Sequence, residues 1–502
     1  MNKHSARRIA PAFAVLCLSI ACVAAAQAPG PQTQIDWNKV VLVSKSTPTL
    51  QVVTNPMLNP GAPIHDGSFA ALKALGADYV RYVPWLPYPK VAVAELQPPT
   101  KDKTSWDFTY IDPVTKDFLA ATEGHSTIIN FSTIPAWMFK TDKPVIYPDD
   151  PNKVFWDYTQ GTELRDPSGK ELGDYFGRLV SWYTQGGFTD ENGKRHESGY
   201  HYSFPYWEIL NEVEAEHRTT PEDYTKRYDA IVAGIHKVSP KTRFVGLALA
   251  FAGGNPRFYE YFLNPKNHKP GIPLDFISFH FYASPAKDEG PDQWQHTFFY
   301  QADGFLATTR FILAIRDRLS PATKIDTDEL GVILPTDNTP ADKNPLPGVY
   351  WNAAGALYGY LFVELSKLGV DVIGESQLVG YPTQFPSVSM IDYNNGKPNA
   401  RYWVLKLLKD NFHPGDKLVA NPETMFGTSD VEIQGFITPE GRKVLFVNKT
   451  NEEKTVKLTS DLQSGTTLTV DEQTGDDAPR AGKVDGSELK LAPFAVTVLK
   501  LQ

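Results

Sequence analysis

Two glutamates stand where two predicted strands end, far apart in the chain. Glu212 follows Asn211 after the aromatic segment 204–210, and Glu329 closes the segment 324–328. Cleavage of a glycosidic bond requires two carboxyl groups, one acting as acid and base and the other as nucleophile or base. The sequence therefore presents a pair of residues with the right chemistry, provided that the fold brings them together.

Strand-like and helix-like segments alternate between residues 49 and 413, which is typical of a βα architecture. Eight strand–helix pairs predict a (β/α)₈ TIM barrel, in which groups at the C-terminal strand ends face the active site. The predicted strands are 49–53, 78–83, 127–131, 206–210, 244–249, 276–281, 324–327 and 370–373. The predicted helices are 69–75, 111–122, 172–183, 221–238, 259–263, 305–319, 349–368 and 399–411.

The pattern changes after residue 413, where short alternating strands are separated by Gly, Asn and Asp. This pattern predicts a small antiparallel β-sandwich over 414–502. The segment 29–48 precedes the barrel, and 40–43 within it is a candidate for an extra sandwich strand. The polar segment 141–171 is rich in Asp and Pro, so we expect a loop over the barrel mouth, where substrate contacts concentrate.

The N-terminal 28 residues have the features of a signal peptide. A basic start (Lys3, Arg7 and Arg8) precedes the apolar stretch 11–26, which is too short to span a bilayer, and a small-x-small site follows at 26–28. We expect a secreted or periplasmic protein. Both cysteines lie in this segment, so the mature chain would contain no disulfide. A lipid-modified Cys22 is the less favoured alternative.

Composition restricts the partners and cofactors. The net charge of −9 argues against nucleic acid and leaves no polybasic stretch for anionic membranes. The 10 Trp and 23 Tyr residues permit stacking on sugars, although most such rings fill protein cores. Nucleophile-elbow, phosphate-loop and dinucleotide motifs are absent, and the cluster of Glu214, Glu216 and His217 lacks a zinc spacing. The expected partner is a carbohydrate, with no metal and no cofactor.

Further polar residues mark other strand ends. His280 and Tyr282 are two apart and therefore share one face of the sixth strand, Arg81 lies on the second, and Glu375 follows the eighth. Each has a purely structural alternative, which we favour for Glu208, the strand residue on the same face as Glu212. Glu212 itself has the alternative of an ordinary surface acid. For Glu329, the alternative is that Asp326 or Asp328 performs the chemistry.

The chain resembles the large clan of retaining (β/α)₈ glycoside hydrolases, which place an acid/base Glu after an Asn on strand four and a nucleophilic Glu on strand seven. The segment 207–212, Trp-Glu-Ile-Leu-Asn-Glu, matches the first motif, and 328–331, Asp-Glu-Leu-Gly, matches the second more loosely. Within the clan the chain is most similar to glycoside hydrolase family 39, the β-xylosidase and α-L-iduronidase family, through 78–81, 106–112 and 134–137. The resemblance covers 66–412. Leu210 replaces a usual Trp, and 213–216 departs from the motif.

The resemblance implies a role for each matched residue. Glu212 is the acid/base and must carry a proton before the first step, whereas Glu329 is the nucleophile. Asn211 donates to the sugar 2-hydroxyl, a contact that strengthens in the transition state. The other expected substrate-binding or orienting residues are Arg81, Trp137, His280, Tyr282 and Glu375.

The expected activity is that of a secreted, exo-acting, β-xylosidase-like retaining glycosidase. The alternatives are an endo-glucanase, a glucuronidase or an iduronidase of the same clan, or a non-catalytic glycan-binding barrel.

Overall fold

The computed structural model describes residues 32–156, 161–337, 346–421 and 429–501. The predicted signal peptide lies outside the described residues. The strands are β1 (Gln32–Thr33), β2 (Asp36–Val43), β3 (Thr47–Val53), β4 (Val80–Val83), β5 (Thr127–Ile129), β6 (Gly187–Thr189), β7 (Arg195–Glu197), β8 (Tyr206–Glu208), β9 (Arg243–Leu249), β10 (Phe276–Ala283), β11 (Lys324–Val332), β12 (Val372–Glu375), β13 (Lys417–Ala420), β14 (Val431–Thr438), β15 (Gly441–Asn448), β16 (Lys454–Leu458), β17 (Thr466–Val470), β18 (Arg480–Lys483), β19 (Glu488–Leu491) and β20 (Val496–Lys500).

The α-helices are α1 (His65–Leu75), α2 (Pro89–Ala92), α3 (Ile111–Ala121), α4 (Lys170–Thr184), α5 (Val213–Glu216), α6 (Pro221–His236), α7 (Arg257–Phe262), α8 (Pro291–Leu319), α9 (Gly348–Leu368) and α10 (Ala400–Asn411). Among the described residues, no helix is long and apolar enough to cross a membrane.

Eight parallel strands close into a barrel, which confirms the predicted (β/α)₈ fold. The order around the barrel is β3, β4, β5, β8, β9, β10, β11 and β12, with β12 pairing back onto β3. Side chains of the short strands β4, β5, β8 and β12 are buried throughout, because helices cover the barrel from outside and side chains fill it from inside. The C-terminal ends of all eight strands consequently meet at one mouth.

The helices around the barrel lie close to their predicted positions, with one large difference. Helix α8 begins at Pro291, whereas the sequence predicted a start at residue 305. Its first turns carry polar residues that hide the apolar periodicity. Pro291 is the first helical residue, and the Gln293 side chain accepts from the Gly290 N–H at 2.9 Å. Helices α4 and α6 contact so closely that a Cβ at Gly234 would lie 2.0 Å from the Gly173 carbonyl oxygen.

The C-terminal sandwich consists of two antiparallel-rich sheets. The larger sheet has the order β18, β17, β20, β15, β14, β13 and β2, and the smaller has the order β1, β16 and β19. Strand β2 pairs antiparallel with β13, so the segment before the barrel does add a strand to the sandwich, over a longer stretch than predicted. The sequence did not predict β13, β18 and β19.

Candidate active site

An irregular backbone at the end of β8 sets the position of Glu212. Leu210 has φ 66° and Glu212 has φ 43°, both in the left-handed region that residues with a side chain rarely adopt. The Glu212 N–H donates to the Ala248 carbonyl oxygen at 2.9 Å, which ties this turn to the end of β9. Such strain is retained where the surrounding structure fixes a functional side chain.

His280 lies between the carboxylates of Glu212 and Glu329. Its Nδ1 is 3.0 Å from Glu212 Oε1 and 3.5 Å from Glu329 Oε2. The nearest oxygens of the two glutamates lie within 4.8 Å of each other. The structure thus brings together the two carboxylates that the sequence places on the fourth and seventh strands.

Both carboxylate oxygens of Glu329 are held by donors. Arg81 Nη1 donates to Oε1 at 2.5 Å, and the Tyr282 hydroxyl donates to Oε2 at 2.6 Å. The Tyr282 oxygen also lies 2.6 Å from Ser376 Oγ, which in turn accepts from Gln51 Nε2. Burial and the neighbouring Glu329 raise the pKa of Tyr282 well above its usual value, so the phenol remains a donor.

Arg81 is buried beneath the site and joins several of its members. Its Nε donates to Glu208 at 2.5 Å, Nη1 donates to Gln51 at 2.6 Å, and Nη2 donates to the Asn211 side-chain oxygen at 2.7 Å. Arg81 is 1% exposed and lies outside the cavity wall. These contacts fit the expectation that Arg81 orients the carboxylates, and a direct contact between Arg81 and the sugar stays a prediction.

The buried ionisable groups around Arg81 shift one another's pKa values. Burial opposes ionisation of Asp328, but Arg81 and His280 lower the pKa of this carboxyl to about 2. Burial opposes the charge on His280, yet Glu329 and Asp328 raise the pKa of this imidazole well above its usual value. Burial raises the pKa of Glu208 to about 7 although Arg81 opposes the shift, and burial also raises the pKa of Asp326.

Asp326 and Asp328 were the alternatives to Glu329 for the chemistry. Both are buried in the barrel interior and lie outside the cavity wall, whereas Glu329 lines the cavity. His280 also lies outside the wall, and its side chain is fully buried. Its contacts with Glu212 and Glu329 fit the expectation that His280 orients the carboxylates, and binding of substrate by His280 stays a prediction.

A cavity of about 290 Å³ opens above the two glutamates, a volume near the lower end for small-molecule sites. Asn211 and Tyr282 line it as predicted. Its walls also contain apolar and amide side chains that the sequence did not single out, because they come from several different strands and from the segments that follow them. These are Gln51, Val53, Val83, Trp85, Trp156, Ala215, Ile333, Gln377, Phe385 and Val388. Trp156 belongs to the segment 141–171, so that loop does reach the site.

Two predicted substrate contacts lie away from the cavity. The Trp137 indole donates to the Glu95 carbonyl oxygen at 2.8 Å, and the Arg165 guanidinium covers its ring at 4.4 Å. Glu375 is fully buried and accepts from Arg401 Nε at 2.8 Å. Neither residue lines the cavity, so substrate binding by Trp137 and by Glu375 stays a prediction.

One group of residues has the donor set for a metal ion. Glu212, His280 and Glu329 each offer a ligand atom within 4.8 Å of the others. Without a metal ion, Glu329 and Asp328 raise the pKa of His280, although burial opposes its charge, and this favours ion pairs with the neighbouring carboxylates.

Several solved structures with a similar fold are named as glycosidases. The chain is similar to an α-L-arabinofuranosidase from Thermotoga maritima, with 15% identity, a TM-score of 0.61 and coverage of 93% of this chain and 99% of that one. It is also similar to a family 51 α-L-arabinofuranosidase from Bifidobacterium longum, with 13% identity, a TM-score of 0.61 and coverage of 94% of this chain and 100% of that one. A third similar structure is a glycoside hydrolase family 39 β-xylosidase from Caulobacter crescentus, with 15% identity, a TM-score of 0.58 and coverage of 94% of this chain and 99% of that one. At these identities the likeness establishes the shared fold.

The sandwich has a separate likeness. Residues 430–499 match the family model described as the C-terminal immunoglobulin-like domain of D-apionate lactonase. The second domain is therefore immunoglobulin-like. No curated protein matches the chain by sequence.

Proposed function

We propose that this protein is a retaining glycoside hydrolase. The observation that carries the proposal is the pair of carboxylates at the barrel mouth, whose nearest oxygens lie within 4.8 Å. In retaining enzymes the two carboxyl groups stand about 5–5.5 Å apart, whereas inverting enzymes separate them by about 6.5–9.5 Å to admit a water molecule. The close pair supports a covalent glycosyl-enzyme mechanism.

The roles of the two glutamates follow from their surroundings. A Glu329 oxygen attacks the anomeric carbon while Glu212 gives its proton to the leaving oxygen, and the glycosidic bond breaks. Glu212 then takes a proton from water, the water oxygen attacks the same carbon, and Glu329 is released. Asn211, fixed by Arg81, donates its amide to the sugar 2-hydroxyl. After one turnover, Glu212 is protonated again and Glu329 is ionised again.

The proposed substrate is a β-xyloside at the end of a short glycan. The similar solved structures are named for activity on pentose sugars, and the residues matching family 39 point to the same class. A cavity of about 290 Å³ suits one sugar ring better than a polymer lying across an open groove. We propose that the enzyme is exported and acts in an exo fashion.

The test is a panel of nitrophenyl glycosides and xylo-oligosaccharides with two variants. We expect Glu329→Ala to abolish turnover of every glycoside. Glu212→Ala should lose about 10²–10⁴-fold on substrates with poor leaving groups, as is typical for removal of a general acid, but should keep the first step for activated aryl glycosides. The matched control is Glu197→Gln, an exposed glutamate on β7 that should behave as the wild type. Near-normal activity of Glu329→Ala would falsify the assignment, and NMR must show the product with retained anomeric configuration.

The family match over 430–499 favours a second candidate, hydrolysis of a sugar-acid lactone. The same cavity would hold the lactone ring, with a carboxylate activating water against its carbonyl carbon. Adding pentono- and hexonolactones to the panel separates the two activities. A protein that binds xylo-oligosaccharides but turns over neither class would be a glycan-binding barrel.

A further inference from the structure

A third carboxyl group lines the active-site cavity. Glu216 is the last residue of α5, and its N–H donates to the Glu212 carbonyl oxygen at 2.8 Å. Its side chain borders the cavity although the residue is only 8% exposed. The proposed double displacement gives Glu216 no task.

The two oxygens of Glu216 have different surroundings. Oε1 accepts from Trp85 Nε1 at 2.7 Å and from Asn211 Nδ2 at 3.0 Å. Within the described part of the chain, Oε2 has no hydrogen-bond partner, and no Lys, Arg or His forms an ion pair with Glu216. Oε1 is therefore hydrogen-bonded to protein groups, and Oε2 can form a hydrogen bond with a ligand in the cavity.

These surroundings favour the neutral acid. Burial and the nearby Glu212 raise the pKa of Glu216 well above its usual value, although the hydrogen bonds from Asn211 and Trp85 oppose the shift. A neutral carboxyl group carries one O–H donor, and with Oε1 already accepting two hydrogen bonds, that proton belongs on Oε2. An ionised Glu216 would instead place an unpaired charge against an apolar wall.

We propose that Glu216 is a specificity-determining residue that works as a neutral acid. Its Oε1 fixes the amide of Asn211, and its Oε2–H donates a hydrogen bond to a hydroxyl group of the bound sugar. This inference rests on the proposed glycosidase function and narrows its substrate class. Among the described residues, the cavity wall has no Lys, Arg or His to pair with a substrate carboxylate. The site therefore selects neutral sugars such as xylosides over glucuronides and iduronides.

Kinetics of two substitutions test the role of the donor. Gln keeps an acceptor for Trp85 and Asn211 and supplies an N–H donor, so Glu216→Gln should lose about threefold in kcat/KM on nitrophenyl β-xyloside. Glu216→Ala removes both functions and should lose about 10–100-fold, the cost of one or two hydrogen bonds. Glu214→Gln, on the same helix with its carboxyl turned to the Phe251 N–H, should match the wild type. Equal losses for Glu216→Gln and Glu216→Ala would overturn the proposal.

A double-substitution cycle tests the contact between Glu216 and Asn211. Because Glu216 holds Asn211, Asn211→Ala should cost less in the Glu216→Ala background than alone. Additive losses would overturn the positioning part of the proposal. Nitrophenyl β-glucuronide should be turned over at least 100-fold less efficiently than the xyloside, and a preference for the glucuronide would overturn the specificity part.

A readout without turnover separates this proposal from the glycosidase assignment. The infrared difference spectrum between the wild type and Glu216→Gln at pH 7 should contain the carbonyl band of a protonated carboxylic acid. A difference band from an ionised carboxylate would overturn the proposal whether or not any glycoside is hydrolysed. If the acid band is present and no glycoside is cleaved, the proposed function fails while the neutral state of Glu216 stands.

Discussion

Replacement of Arg81 by leucine probes the buried network below the cavity. The change leaves Glu208, Asp328 and Glu329 without their guanidinium partner in a region where Arg81 is 1% exposed. In the folded wild type, Arg81 and His280 lower the pKa of Asp328 to about 2, against about 3.9 in the unfolded chain. This shift favours the folded state at pH 7 by about 2–3 kcal/mol. Removal of one member of a buried pair typically costs about 3–5 kcal/mol. We expect a loss of about 3–5 kcal/mol in the free energy of unfolding.

The pH dependence of this loss has a definite sign. In the wild type, the lowered pKa of Asp328 contributes stability above the unfolded pKa, and this stability is lost only as the pH falls toward about 2. In Arg81→Leu, burial without the guanidinium raises the pKa of Asp328, so the penalty grows as the pH rises above about 4. The difference in unfolding free energy between wild type and variant should therefore shrink by about 1–3 kcal/mol between pH 7 and pH 5.

Urea unfolding followed by tryptophan fluorescence at both pH values measures this difference. The matched control is Arg257→Leu, since the side chain of Arg257 is 64% exposed in its ion pair with Glu222 and its loss should change stability by no more than about 0.5 kcal/mol. A loss below about 1 kcal/mol at pH 7, or the same loss at pH 5, would refute the reasoning. If Arg81→Leu does not fold, Arg81→Lys keeps the charge but not the fork of donors, and should fold with impaired turnover.

Two further substitutions separate residues that hold the site from residues outside it. Tyr282→Phe removes the hydrogen bond to Glu329 Oε2, so kcat on an activated xyloside should fall about 10–100-fold with little change in KM. An unchanged kcat would show that this hydrogen bond does not support the nucleophile. Trp137→Leu removes the stacking with Arg165, which lies outside the cavity wall. The value of kcat/KM should therefore stay within about twofold of the wild type, while thermal stability falls slightly. A large rise in KM would instead indicate that Trp137 contacts the substrate.

Sequence patterns predicted the elements that carry the two glutamates because local physics determines them. Short apolar strands alternate with amphipathic helices, and the observed β3, β9 and β10 begin within two residues of prediction. The spacing of His280 and Tyr282 correctly placed both side chains on one face. These inferences needed only periodicity and the rule that strand ends meet at the barrel mouth.

Local sequence patterns could not predict the role of a residue that depends on a partner far away in the chain. Glu375 stands at a strand end exactly as a substrate contact would, but Arg401 from α10 pairs with it. Glu216 belongs to a polar cluster that the sequence excluded only as a zinc site, and its importance comes from Trp85, 131 positions away. Packing between elements that are distant in the chain brings these pairs together, and no local sequence pattern encodes such packing.

The different surroundings of the two glutamates support the roles proposed for them. Glu329 has both oxygens held by donors, Arg81 and Tyr282, and its side chain is 10% exposed. Glu212 has His280 as its side-chain partner, and its side chain is 25% exposed. A nucleophile must be fixed and ionised before the sugar arrives, whereas an acid/base must exchange its proton with a leaving group and then with water. The better-held carboxylate therefore fits the nucleophile, and the more open one fits the acid/base.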